Sequence, residues 1–170
     1  MIERKFKRIV TGHNEEGKSI VAYDGPPKNQ FQLWVTDKAP ADNDDKNDAA
    51  DRRIRLEPPS NGSKFSFFQV FPEDPSKSIE DIEKEIAMGF EAIDAKHCRP
   101  DTTKDPRMHK TKTVDYIILL EGQVTLILDE EEVDLKPFDV VIQRGTNHAW
   151  INKGSTPALL AAILIDAEPR

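Results

Sequence analysis

Two histidines and an aspartate are the residues of this chain best placed to do chemistry. His109 is followed by Thr111, Thr113, Asp115, Ile117 and Leu119 at intervals of two. In an extended segment all of them share one face, and that face becomes apolar at Ile117 and Leu119, so His109 and Asp115 point inward. A buried imidazole or carboxylate costs free energy unless it is paired, protonated or bound to a metal. His148 opens a second strand-like run, within Gly145-Thr146-Asn147-His148-Ala149-Trp150-Ile151-Asn152. Two imidazoles and one carboxylate on neighbouring strands make a facial set for Fe(II), Mn(II), Ni(II) or Zn(II) and leave positions open for a substrate. The expected ligands of one divalent transition metal are therefore His109, Asp115 and His148. The competing arrangement is a metal-free pocket in which Asp115 pairs with a protonated histidine.

Other side chains gather around this set. Arg107 shares the parity of His109, and Arg144 precedes the glycine turn that leads to His148. A guanidinium at the mouth of a cavity grips a substrate carboxylate bidentately. Asp115, His148, Arg107 and Arg144 are thus the candidate catalytic residues, the first two moving a proton when not acting as ligands. Thr111, Trp150 and Gln69 are the candidate substrate-binding residues. Thr111 offers a hydroxyl to a water or to the carboxylate, and Trp150 has the parity of His148. His13, in a turn, and His97, in a polar connection, read as surface residues. Cys98 beside His97 is not read as a nucleophile pair, because adjacent residues seldom orient for that role. As the single cysteine of the chain, it leaves no internal disulfide and no cysteine zinc site.

The elements that must position these residues are mostly strands. Arg8-Ile9-Val10 and Ser19 to Tyr23 flank a Gly/Asn turn and read as a hairpin, which Gly25-Pro26-Pro27 ends. Phe31 to Val35 is a further short strand. Ser63 to Phe71 alternates, with Phe65, Phe67, Gln69 and Phe71 on one face and Phe68 and Val70 on the other, so both faces are expected to be covered. Between these strands, Ala39 to Asp51 is rich in Asp and carries nothing apolar larger than Ala, the composition of a mobile acidic loop. It lacks the mid-loop Gly and closing Glu of a calcium loop. Ser78 to Asp94 reads as the one helix, capped by Ser78, with Ile79, Ile82, Ile86, Phe90 and Ile93 near helical spacing. Its expected place is packed on the outside of the β core rather than as a lid. From Arg107 onward short runs separated by turns follow: Val114 to Leu120, Val124 to Leu128, Val133 to Leu135, Val140 to Gln143, Ala149 to Asn152 and Leu159 to Ile165. This spacing signals a sandwich or barrel rather than βαβ units.

Composition bounds the rest. The chain has 170 residues, about one domain. Lys and Arg number 24 against 31 Asp and Glu, a formal charge of −7 that argues against nucleic acid and against acidic lipid surfaces as partners. The longest apolar run, Pro157 to Ile165, is far short of the ~20 residues a spanning helix requires. Met1 to Arg8 has no apolar core of the kind a secretory signal carries, so a soluble, cytoplasmic chain is expected.

Two stretches resemble the motifs of the cupin family. His109 to Gly122 is similar to the first motif, H-x-H-x(3,4)-E-x(6)-G, with Thr111 in the second histidine place and Asp115 in the glutamate place. Gly145 to Asn152 is similar to the end of the second motif, G-x(2)-H-x(3)-N, and Leu135-Lys136-Pro137-Phe138-Asp139-Val140-Val141 to the segment that opens it. Pro137-Phe138 stands where the family has glycine, and Gln143 or Arg144 where it has proline. The resemblance implies a mainly β single domain over 1–170: a cupin β-barrel (double-stranded β-helix or jelly roll) with extra N-terminal strands over 1–75, the helix at 78–94 and the barrel at 107–166. It implies a metal-dependent enzyme on a small organic acid or polyketide-like substrate, of lyase type (decarboxylation or dehydration). An Fe(II)-dependent dioxygenase and a non-catalytic small-ligand-binding module are the alternatives. A homodimer, paired through N-terminal strands, is the expected assembly.

Overall fold

The computed structural model describes residues 6–29, 31–44 and 46–168. Among these residues ten strands and one α-helix follow in order: β1 (Arg8–His13), β2 (Ser19–Gly25), β3 (Gln32–Thr36), β4 (Ser63–Val70), α1 (Ile79–Ala92), β5 (Thr113–Glu121), β6 (Val124–Leu128), β7 (Glu132–Leu135), β8 (Val140–Arg144), β9 (His148–Ile151) and β10 (Ala158–Asp166), with a short 3-10 turn at Lys96–Cys98 before β5. The mainly β architecture with extra N-terminal strands and one helix is as expected. β1 and β2 form their own hairpin. The remaining strands make a five-stranded sheet, β3-β4-β10-β5-β8, and a three-stranded sheet, β7-β6-β9. All of these pairs are antiparallel.

The core lies between the two larger sheets, because alternation gives each an apolar inner face. Ile117, Leu119, Leu160 and Leu164 from one meet Val124, Leu126, Leu135 and Trp150 from the other. On β5 the odd-numbered residues from Thr113 to Leu119 are buried, as the period-two reading required. The ladders do not run continuously around the molecule. Isolated bridges, His109 with His148 and Pro72 with Asn152, join the segments flanking the sheets.

Two turns show how tightly the strands are joined. Gly122 links β5 to β6 at φ +86°, and a Cβ there would stand 2.8 Å from the Cα of Ala158. At the turn before β8, Phe138 takes φ 76°, a left-handed conformation normally left to glycine. Its N–H donates to the Leu119 carbonyl (2.7 Å) and Leu119 N–H donates to the Asp139 carbonyl (3.1 Å), which hold the turn in place.

The N-terminal half packs on the outer face of the five-stranded sheet. Phe6 meets Phe67 edge-on at 5.0 Å between ring centres, while Phe65 and Phe71 remain partly exposed, so that face is only partly covered. The acidic stretch 39–51 contains no strand or helix among its described residues, yet its end is anchored. Ala49 and Ala50 are buried, and Asp48 accepts two hydrogen bonds from the guanidinium of Arg8. That guanidinium holds Asp48 below the usual carboxylate range.

Ser78 caps α1 by accepting from the Asp81 N–H (3.1 Å), as read from the sequence. None of its residues is buried, however, and Ile79 is 75 % exposed. Ile82, Ile86 and Phe90 form its half-buried face, and Phe90, with Ile93 just beyond the helix, lines a cavity.

Candidate active site

That cavity, of about 400 Å³, is where the sequence-derived residues meet. His109, Thr111, Asp115, His148, Trp150 and Gln69 all line it. β5 brings in Asp115, and the segment leading into β5 brings in His109. Gly145, at φ +59° against the Thr111 carbonyl, turns the chain so that β9 begins at His148.

The imidazoles are the best-defined part. The backbones of His109 and His148 exchange two hydrogen bonds (2.8 and 2.9 Å), and the ring centres lie 4.2 Å apart. Nδ1 of His109 is 2.9 Å from the Arg107 carbonyl, and Nδ1 of His148 is 2.9 Å from the Thr146 carbonyl. A carbonyl only accepts, so each Nδ1 carries the hydrogen and each Nε2 keeps its lone pair. Burial pushes His148 down to about 3, helped by the neighbouring His109, and burial also lowers His109. Both rings are therefore neutral near pH 7. Phe90 packs edge-on to His109 (5.0 Å) and Trp150 to His148 (5.6 Å).

Asp115 is the complementary group. Burial raises it to about 6 against a lowering hydrogen bond from the Thr113 hydroxyl, with Glu57 adding to the rise. Its Oδ1 is buried with no hydrogen-bond partner. Thr111, expected to serve a water or the carboxylate, instead bonds the Thr113 hydroxyl (2.6 Å). The donor atoms of His109, Asp115 and His148 are not drawn into one compact cluster. Among the described residues the group whose ligand atoms all lie within 4.8 Å of one another is Glu57, His97 and Cys98.

That second cluster lies outside the cavity. His97 Nε2 is 2.8 Å from Glu57 Oε2 and 3.5 Å from Cys98 Sγ, because a short 3-10 turn at Lys96–Cys98 directs both side chains the same way. The neighbours thus do converge, contrary to the expectation for adjacent residues. Burial pushes the thiol up to about 12, so it is no thiolate nucleophile.

The two arginines need correcting. Arg107 spends its guanidinium on Asp105 (3.0 Å) and Glu73 (3.3 Å), and Arg144 is exposed and lines a separate groove with Glu57 and His97. Neither lines the cavity. The cation that does is Lys64, which the sequence reading passed over. Its signal was its parity: it falls with Phe68 and Val70, which pack against the core.

Comparison with known proteins adds a family. Residues 97–165 match the family model described as a cupin domain. Phomopsin biosynthesis cluster protein C' of Diaporthe leptostromiformis is 41 % identical over 64 residues, 36 % of this chain and 34 % of that protein. Oryzines biosynthesis cluster protein J of Aspergillus oryzae is 42 % identical over 67 residues, 38 % of this chain and 37 % of that protein. A cupin-domain-containing oxidoreductase of Aspergillus ruber is 35 % identical over 63 residues, 35 % of this chain and 31 % of that protein. The chain thus spans about a third of the length of the curated relatives it matches. Among solved structures, a cupin 2 conserved barrel domain protein from Salinispora arenicola has a TM-score of 0.39 at 17 % identity, covering 62 % of this chain and 64 % of that one.

Proposed function

From a chain whose residues 97–165 are a cupin domain, we propose an enzyme that transforms a small, largely apolar organic molecule in the cavity beneath α1, assisted by one divalent transition metal. The observation that carries this reading is the unpartnered Oδ1 of Asp115, buried in the same cavity as two neutral imidazoles.

The donor types fit a metal, although the Asp115 carboxylate would have to close on the histidine pair to share one ion with it. His109 and His148 would hold it through their free Nε2 atoms, with the Asp115 carboxylate as the anionic member of the set. When bound, a divalent ion supplies Lewis-acid polarisation of a substrate oxygen. The chain's own residues do the rest. Asp115, whose buried Oδ1 has no hydrogen-bond partner, moves a proton when it is not acting as a ligand. Phe68, Phe90 and Trp150 wall the cavity and exclude water from it. This favours a lyase-type reaction: in a dehydration Asp115 takes a proton from carbon and returns it to the departing hydroxyl, which leaves as water, and in a decarboxylation the C–C bond breaks, CO2 leaves and one proton is delivered to the carbon.

An Fe(II)-dependent oxidation is the second reading. Two imidazoles and a carboxylate are the donors such enzymes use, and the relative from Aspergillus ruber is named an oxidoreductase. A homodimer belongs to the same proposal. The β1–β2 hairpin exposes Ile9, Ile20 and Val21, and sedimentation equilibrium decides the assembly.

Metal analysis of the purified chain tests the proposal. Close to one transition ion per chain is expected in the wild type, with most of it lost in His148→Ala while the far-UV circular dichroism is unchanged. A wild-type chain that stays metal-free after incubation with Fe(II), Mn(II), Ni(II) and Zn(II), yet folds normally, would leave a ligand-binding module instead. Retention of the ion by His148→Ala would move the metal elsewhere, with the Glu57–His97–Cys98 cluster the first place to look.

A further inference from the structure

We infer that Lys64 is the anion subsite of this cavity, so that the natural ligand is a flat, mainly apolar molecule carrying one carboxylate. The inference rests on reading the cavity as the active site and adds the chemical class of what enters it.

Three observations converge. First, Lys64 is only 7 % exposed and lines the cavity. Its ammonium donates to the Arg55 carbonyl, and among the described residues no carboxylate pairs with it. An ammonium has three donors, and a buried cation without a counter-ion is unfavourable by several kcal/mol in general. An anionic ligand supplies the missing charge. Second, the register fixes where that anion sits. Lys64 on β4 is opposite Leu164 on β10, which is opposite Asp115 on β5. Directly opposed residues share a face, so Lys64 and Asp115 lie in one row with Leu164 between them, about 10 Å apart in backbone spacing. A carboxylate paired with Lys64 therefore sits two strand spacings away from Asp115, beyond Leu164. The uncharged end of the ligand is then the one that meets His109, His148 and Asp115, which leaves dehydration rather than decarboxylation as the lyase reaction for such a ligand. Third, the space between is built for an apolar body. Phe67, Phe68, Phe90, Ile117 and Trp150 line it, and about 400 Å³ suits a small ring system. Burial lowers Lys64 to about 8, which leaves it cationic at neutral pH.

The test uses the full chain with its metal as purified and two probes of the same shape, 2-naphthoate and its neutral counterpart 2-naphthamide. Binding is read by titration calorimetry at pH 7. The wild type is expected to favour the carboxylate by about tenfold or more. Lys64→Arg keeps that preference and Lys64→Met abolishes it, while binding of the amide is unchanged by Lys64→Met and the metal content stays the same. Equal affinity for the two probes in the wild type, or an undiminished preference in Lys64→Met, overturns the anion subsite and leaves the cavity as a site for neutral molecules. Failure of both probes to bind the wild type overturns the subsite and the active-site reading together.

Discussion

His109 and His148 pair as a two-residue β-bridge, each N–H donating to the other's carbonyl at 2.8 and 2.9 Å, and this brings their rings to 4.2 Å between centres. The backbone thus places the two imidazoles, and the Arg107 and Thr146 carbonyls fix their tautomers. Such a pair is set before any ion arrives, which lowers the ordering required on binding.

The imidazoles should therefore act as a unit. His109→Ala and His148→Ala are each expected to weaken Co(II) or Zn(II) binding by about tenfold or more, and the double variant by much less than the product of the two. Competition against a chromophoric chelator measures all three, and strictly multiplicative losses would refute the coupling.

Lys64 gives a pH dependence with a definite sign. An unfolded lysine titrates near 10.4, and burial brings Lys64 to about 8. Between those values the unfolded chain holds more protons, so stability rises with pH across this window and the burial penalty is fully present below about 8. Lys64→Met should gain stability over wild type near pH 7, and that gain should shrink by about 3 kcal/mol as the pH approaches 10. Urea denaturation at the two pH values gives the result; a gap independent of pH would contradict it.

Phe138 is 78 % exposed and holds φ 76°, so its side chain contributes little while its backbone is strained. Phe138→Gly is expected to stabilise by about 1 kcal/mol, the left-handed penalty of roughly 1–2 kcal/mol less the entropy glycine gives up. Thermal unfolding checks this, and a lower melting temperature counts against it. Gly122→Ala should act in the opposite direction by on the order of 3 kcal/mol, since it combines a left-handed φ with a backbone clash at Ala158.

Phe90 covers His109 from the helix, so its removal should admit water. In Phe90→Ala, acrylamide quenching of Trp150 fluorescence should increase, with Trp34 replaced by Phe in both chains so that a single indole reports. Unchanged quenching would mean that α1 does not shield the cavity.

Much of the fold was readable because a strand's period of two leaves little choice once one face is apolar. Thr113 to Leu119 is such a case, and burial follows its alternation, whereas the continuous apolar run Leu159 to Ile165 becomes a central strand buried on both faces over most of its length. The meeting of His109 with His148 was different: no periodicity links residues so far apart, and the motif resemblance carried that expectation. Lys64 was missed because β4 has aromatics on both parities, so neither face stood out as the inner one, and a lysine reads as solvated by default. Arg107 was misjudged for the opposite reason. Its partner Glu73 precedes α1, and only the tertiary fold brings the two together.

β10 lies at the centre of the five-stranded sheet, between β4 and β5, which meet only through it. During translation its two neighbours emerge first and must wait, unzipped, for the strand that staples them. The row carrying Lys64 and Asp115 is assembled in that final step, so a nascent chain halted before Ala158 would own every group that lines the cavity except those on β10 itself and still have no cavity.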